Sequence, residues 1–198
     1  MSNSTNGNLL KIGNRVLKIG GRVLRPWSPP APTYDEVTIG SKTWMSKNLA
    51  IDDGQGGIYT QTVNYGQGEV VEYYYTWYAA VRVAATVQGW HLPSTSEWDV
   101  LATAVGGASK AGTKLKSTYG WSSRNGTDDY GFAAFPAGCW ISDSFNFLGE
   151  YSFFWTITSR SFQSKEAYSR YFDTGRSMHS NYYRMTRAYS VRLVKDAE

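Results

Sequence analysis

Gly89-Trp90-His91-Leu92-Pro93-Ser94-Thr95-Ser96-Glu97-Trp98-Asp99-Val100-Leu101-Ala102-Thr103-Ala104-Val105-Gly106-Gly107 is the stretch from which the chain is most readily read. Ser94 stands where a helix N-cap belongs, and Glu97 three residues later completes a capping box, in which each side chain satisfies a backbone N–H that the first turn leaves orphaned. Trp98, Leu101, Ala102 and Val105 recur at helical spacing as one apolar stripe. Gly106-Gly107 ends the helix. Upstream, Tyr74 to Ala85 has the spacing of a second helix, with Trp77, Ala80, Val81 and Ala84 on one face. Further upstream, Val37 to Met45 reads as a hairpin turning at Gly40-Ser41. Beyond Ala111 the pattern is of short β segments and loops, closing on a half-buried strand from Tyr189 to Val194 whose residues alternate.

The N-terminal end is different in kind. Residues 1–8 are a polar lead, after which Leu10-Lys11-Ile12-Gly13-Asn14-Arg15-Val16 is echoed by Leu17-Lys18-Ile19-Gly20-Gly21-Arg22-Val23. Glycine in each unit argues against a heptad helix and for short strands around tight turns. Seven apolar residues are too many for a free tail, so this piece is expected to serve attachment, to a phage particle or to further copies of the chain. Pro26-Trp27-Ser28-Pro29-Pro30-Ala31-Pro32 is a stiff linker. The organisation expected is therefore a repeat segment over 1–25, a linker over 26–36 and one domain over 37–198.

Composition narrows the function. Eight Trp and fifteen Tyr, with only 18% charged residues, belong to a folded chain rather than a disordered one. The net charge of +4 is spread along the sequence, whereas a nucleic-acid footprint needs its basic residues on one face. No apolar run approaches the roughly 20 residues that span a bilayer. Cys139 is the single cysteine, which excludes a disulfide framework and any multi-cysteine metal site, and suits a reducing cytoplasm. The N-terminus lacks the order of a secretory signal, so release as part of a phage particle is expected. His91 and His179 have no metal-ligating partner at the right spacing, and Asp128-Asp129 reads as a turn rather than a calcium loop. No cofactor and no enzymatic activity are expected.

Six sets of fragments carry a resemblance. They are Ile39-Gly40-Ser41-Lys42-Thr43-Trp44-Met45 with Lys47-Asn48-Leu49; Tyr75-Thr76-Trp77; Gly89 to Ser94 with Glu97-Trp98; Gly131-Phe132 with Pro136-Ala137-Gly138; Phe154-Trp155-Thr156 with Thr158; and Ser190-Val191-Arg192. In this order they resemble the Fibrobacter succinogenes major paralogous domain, a bacterial family similar to C-type-lectin-fold proteins. The resemblance implies an α+β, C-type-lectin-like fold, loop-rich, with two helices around a twisted, mostly antiparallel sheet. It does not fix a ligand.

The C-terminal part also resembles the variable proteins of diversity-generating retroelements. There, AAC and AAT codons become any codon ending in a pyrimidine, which can never encode Lys, Glu, Gln, Met or Trp. From Ile141 to Arg187 the chain is loaded with Ser, Tyr, Phe, Arg, Asp and His, and the forbidden types appear singly. In Tyr168-Ser169-Arg170-Tyr171-Phe172-Asp173, the residues Tyr168, Arg170 and Phe172 resemble the family's fixed positions. Strand alternation then turns those three inward and Ser169, Tyr171 and Asp173 outward. The contact set so implied is Ser144, Phe145, Phe147, Phe153, Phe162, Ser169, Tyr171, Asp173, Arg176, His179, Tyr182, Tyr183, Arg184 and Arg187. Tyr, Ser and Arg are the residues of adaptable paratopes and hot spots. The function expected is binding of a ligand or receptor, a bacterial surface protein or glycan, through a hypervariable surface. The alternative is a structural protein of a phage particle whose aromatic surface is a subunit interface.

Overall fold

The computed structural model describes residues 11–12, 15–16, 18–19, 22–23 and 34–197. Two compact units divide the chain, residues 1–33 and 34–198. In the first, β1 (Lys11–Ile12) pairs antiparallel with β2 (Arg15–Val16), and β3 (Lys18–Ile19) with β4 (Arg22–Val23). Two residues separate the strands of each pair, the loop length of the tightest hairpins. The polar lead over residues 1–8 and the stiff linker over Pro26–Pro32 lie outside the described residues.

The second unit is β-rich. β5 (Glu36–Ile39) and β6 (Lys42–Met45) form the expected hairpin, with Gly40 at φ 65°, and β15 (Val194–Asp196) adds to it in the order β15-β6-β5. A five-stranded sheet follows the order β10-β9-β14-β8-β7, from β7 (Ile58–Asn64), β8 (Glu69–Thr76), β9 (Cys139–Ile141), β10 (Ser144–Asn146) and β14 (Ala188–Tyr189). The third sheet is the antiparallel meander β11 (Ser152–Ser161), β12 (Glu166–Phe172), β13 (Met178–Arg184). Only three short helices accompany them: α1 (Trp77–Ala84), α2 (Thr95–Ala104) and α3 (Ala108–Leu115).

The expected α+β, lectin-like arrangement of two helices around one sheet is thereby corrected. One reason is local. Tyr73, Tyr74 and Tyr75, aromatic residues suited to a pleated strand, extend β8 to Thr76, whose hydroxyl caps α1 and leaves it eight residues. Another is that the sheets meet through isolated bridges, Gly138 with Ser152 and Phe154 with Ser190, rather than merging into one ladder. The C-terminal strand is likewise two pieces, β14 and β15. Val191, Arg192 and Leu193 between them are all buried, so no solvent face remains for alternation to mark.

Two apolar cores flank the third sheet. Alternate residues of β11 feed both: Phe153 and Trp155 join α1, Tyr189 and Val191, while Phe154 joins Trp44, Trp98, Leu101, Leu115 and Phe172 beneath α2 and α3. The sheet is thus a wall with a core on each side. Trp44, Trp77, Trp98, Phe132 and Trp155 are buried as their composition suggests; Trp90 is only half-buried, edge-on to Tyr34 at 6.3 Å. The capping box of α2 is complete, since Ser94 Oγ accepts from the Glu97 N–H and Glu97 accepts from the Ser94 N–H.

Candidate functional site

β12 is the middle strand of its sheet, so all of its residues but Tyr168, which lies opposite a bulge of β11, are paired on both sides. One parity of residues points to α2 and α3. Phe172 stands across from Ser152 and Met178, and Arg170 across from Phe154 and Ser180. Arg170 is buried, donating to the Thr95 carbonyl at 3.1 Å, to Asp99 Oδ1 at 2.7 Å and to Ser180 Oγ. The other parity aligns Phe153 with Tyr171 and His179, Trp155 with Ser169 and Asn181, and Ala167 with Tyr183.

This second parity builds a continuous aromatic face. Tyr171 stacks on His179 at 4.9 Å and lies 5.5 Å from Phe153. Phe153 stacks on Tyr189 at 4.9 Å and on Tyr151 at 5.4 Å, and Phe147 meets Tyr151 edge-on at 5.4 Å. Tyr183 stands edge-on to Tyr189 at 5.6 Å, with the Arg187 guanidinium 4.7 Å from its ring centre. His179 Nε2 lies 3.4 Å from Asp173, both side chains about one-third exposed. Burial raises the Tyr171 and Tyr183 hydroxyls above the ordinary phenol value, so both are protonated donors at neutral pH. The result is a set of stiff rings, half open to solvent, with Asn181 and Arg187 beside them.

The structure brings Phe147, Phe153, Tyr171, Asp173, His179, Tyr183 and Arg187 of the expected contact set to this one face. Two of the expected contacts need correction. Ser169 is fully buried and Phe153 is 6% exposed, because both sit over the α1 core; they are the floor of the face and not its surface. Tyr168, expected inward, is half-buried and meets Tyr182 edge-on at 6.2 Å near the sheet margin, where the Arg160 guanidinium lies 3.6 Å from the Tyr182 ring. Tyr182 therefore belongs to the opposite parity. Ser144 and Phe145 lie exposed on β10, and Phe162 is exposed beside Trp77. Arg176 is exposed in the loop before β13, whose backbone passes close against Gly112 of α3. Arg184 and Arg187 together line a groove of about 640 Å³ walled by Tyr59, Tyr78 and Trp140.

Several contributors had no local signal. Asn181 joins the aromatic face through register, Tyr151 from the turn before β11 and Tyr189 from β14 of the neighbouring sheet. Lys116, 57 residues from Asp173, donates from Nζ to the carbonyls of Asp173 at 3.0 Å and Gly175 at 2.9 Å, pinning the loop at the edge of the site. Its ammonium also lies 4.3 Å from the Trp121 ring centre, and burial pulls its pKa down to about 8. A second cleft, of about 450 Å³, opens between Tyr65, Val70, Val71 and Phe135 over Glu72 and Arg192. His91 Nε2 lies 2.7 Å from Glu97, a contact at the head of α2. Cys139 is buried, which pushes its thiol up to about 12. Asp128 closes a turn by accepting from the Ala133 N–H at 2.7 Å. Among the described residues, no group of three or more His, Cys, Asp or Glu is placed to hold a metal ion, and no helix is long and apolar enough to cross a membrane.

Comparison with known families bears on the same stretch. The profile described as Fibrobacter succinogenes major domain matches residues 37–195. The chain belongs to that family. No curated protein and no solved structure matches the chain. The Fibrobacter succinogenes major domain spans all three sheets, so the aromatic face lies wholly within it, as do both clefts. The residues 11–23 that carry the two N-terminal hairpins lie outside it.

Proposed function

We propose that this chain is a ligand- or receptor-binding protein whose contact surface is the aromatic face of β11, β12 and β13, with Arg184 and Arg187 at its margin. The observation that carries the reading is the half-exposed cluster of Tyr171, His179 and Tyr183 on the sheet, joined by Phe147 and Tyr151 from the turn before β11. Aromatic and Arg side chains held on a scaffold supply large contact area at low entropic cost, which is the composition of binding hot spots. Retroelement-driven diversification of the segment 140–190 fits the Tyr, Ser, Phe and Arg content of that surface, and a bacterial surface protein or glycan is the class of ligand proposed. Carriage on a phage particle, with residues 10–25 as the attachment, belongs to the same proposal.

The test is binding of fluorescently labelled protein to a panel of intact bacterial cells. Joint replacement of Tyr171, Asn181, Arg184 and Arg187 by Ser is expected to abolish cell binding and to shift the melting temperature by only a few degrees. Val100→Ser, on the exposed side of α2, is expected to bind as the parent does. Undiminished cell binding by the fourfold variant would sink the proposal. A second genomic copy of the 140–190 coding segment, differing only at adenines and lying beside a reverse transcriptase, tests the diversification separately.

A further inference from the structure

The five-stranded sheet ends on β7, and among the described residues nothing pairs with its outer edge. Ile58-Tyr59-Thr60-Gln61-Thr62-Val63-Asn64 carries no charge and no Pro, so it lacks the devices by which edge strands avoid pairing. The edge strand β13 differs, bearing His179 and Arg184. Next to β7, Val70 and Val71 of β8 are 45% and 52% exposed. At the middle of the edge, Thr60 and Thr62 are exposed on either side of the half-buried Gln61.

The sequence around Gln61 is close to the same in both directions. Thr60 and Thr62 flank it, and beyond them lie Tyr59 and Val63, an aromatic and a β-branched residue. We propose that two copies of this chain associate by antiparallel pairing of their β7 strands about a two-fold axis at Gln61. In that register Thr60 opposes the partner's Thr62, and Tyr59 opposes the partner's Val63. Thr60 and Thr62 are both exposed, and opposed Thr–Thr pairs are among those that stabilise a ladder. Directly opposed side chains share a face, so the two Gln61 side chains flank the axis on the same side of the joined sheet. The register holds whichever way the Gln61 backbone groups point, because antiparallel ladders contain both hydrogen-bonded and non-hydrogen-bonded opposed pairs. The contact is isologous and closes as a dimer, with one sheet running through both copies.

The test uses the full chain in sedimentation equilibrium. The parent is expected at dimer mass, and Thr62→Lys, at an exposed position, at monomer mass with its melting temperature kept. Gln61→Cys is expected to give a disulfide-linked dimer on mild oxidation, since opposed Cα atoms about 4.5–5.5 Å apart lie within disulfide range. Asn64→Cys is not, because its two copies would stand about 20 Å apart along the ladder. A parent that is monomeric at every concentration overturns the proposal, and so does an oligomer that Thr62→Lys leaves intact. Equal cross-linking at both cysteines overturns it as well. If Thr62→Lys unfolds the chain, the cysteine pair decides.

Discussion

The two faces of the sheet β11-β12-β13 come from alternate residues of the same strands, yet they do different work. On the face toward α2 and α3, Phe154, Phe172 and Met178 are buried, and the buried charged group, Arg170, is tied to Thr95, Asp99 and Ser180. On the other, only the floor is closed, by Phe153, Trp155 and Ser169; Tyr171, His179 and Tyr183 above it keep part of their surface in solvent. The difference teaches how a single strand can separate folding from display. The closed side fixes the backbone, and the open side offers side chains that can change without opening a cavity in close-packed core.

The most direct way to break that comparison is to truncate neighbours on opposite parities of β12. Phe172 is fully buried, so Phe172→Ala is expected to cost about 3–5 kcal/mol. Tyr171→Ala, one residue away on the half-open side, is expected to cost about 1–2 kcal/mol, since the remaining rings and water can close over its place. Urea unfolding of the two variants measures both. Equal losses would mean that the aromatic face is core in all but name.

A pH series sharpens the closed side. Burial alone would push the Glu97 carboxyl up, but the Ser94 N–H and the His91 and Lys42 side chains hold it down at about 2, from an ordinary value of 4.5. A carboxylate held below its unfolded pKa contributes stability that is fully present above pH about 4.5 and is lost as the pH falls towards 2. The contribution is about 3 kcal/mol at most, with Glu97 mostly buried at the head of α2. Glu97→Gln is therefore expected to be less stable than the parent at pH 7, with the gap closing as the pH falls from 4.5 towards 2. A gap constant over that range would show that the charge of Glu97 does not hold α2 against the sheet.

What was legible in the sequence follows the range of the interactions concerned. The hairpin at Gly40-Ser41 and the capping box of Ser94 and Glu97 are completed within a few residues, and both could be read directly. α3 could not. Its Gly112 argues against a helix interior, and the reason for that glycine lies 64 residues on: a Cβ there would stand 2.6 Å from the Arg176 carbonyl carbon. The alternation along β12 placed Tyr171 and Phe172 on the correct sides, because the period of a strand is a local property. It put Ser169 on the side of Tyr171 as well but did not show it buried, because alternation does not say that a middle strand has a core behind each face. Lys116 and the unpaired edge of β7 are likewise products of topology, and the α+β expectation failed where Tyr73, Tyr74 and Tyr75 prolonged a strand into the start of an expected helix.

The smallest expected effect is the most informative about the open face. Arg187 has its guanidinium over the Tyr183 ring at 4.7 Å and Nη1 3.5 Å from the Tyr189 hydroxyl, a distance at the limit of a hydrogen bond. A half-exposed cation over an aromatic ring is worth about 0.5–1 kcal/mol. Arg187→Ser should therefore lower the unfolding free energy by no more than about 1 kcal/mol, and that cost should vanish in a Tyr189→Phe background only if the Tyr189 hydroxyl, and not the Tyr183 ring, holds the guanidinium. The expectation is the reverse: Tyr189→Phe leaves the Tyr183 ring in place, so the cost of Arg187→Ser should be the same in either background. Guanidinium unfolding of the four proteins in this cycle measures the difference. A loss above about 2 kcal/mol for Arg187→Ser alone would make Arg187 a structural strut between the sheet and β14, and a strut is a residue that a diversified surface could not vary.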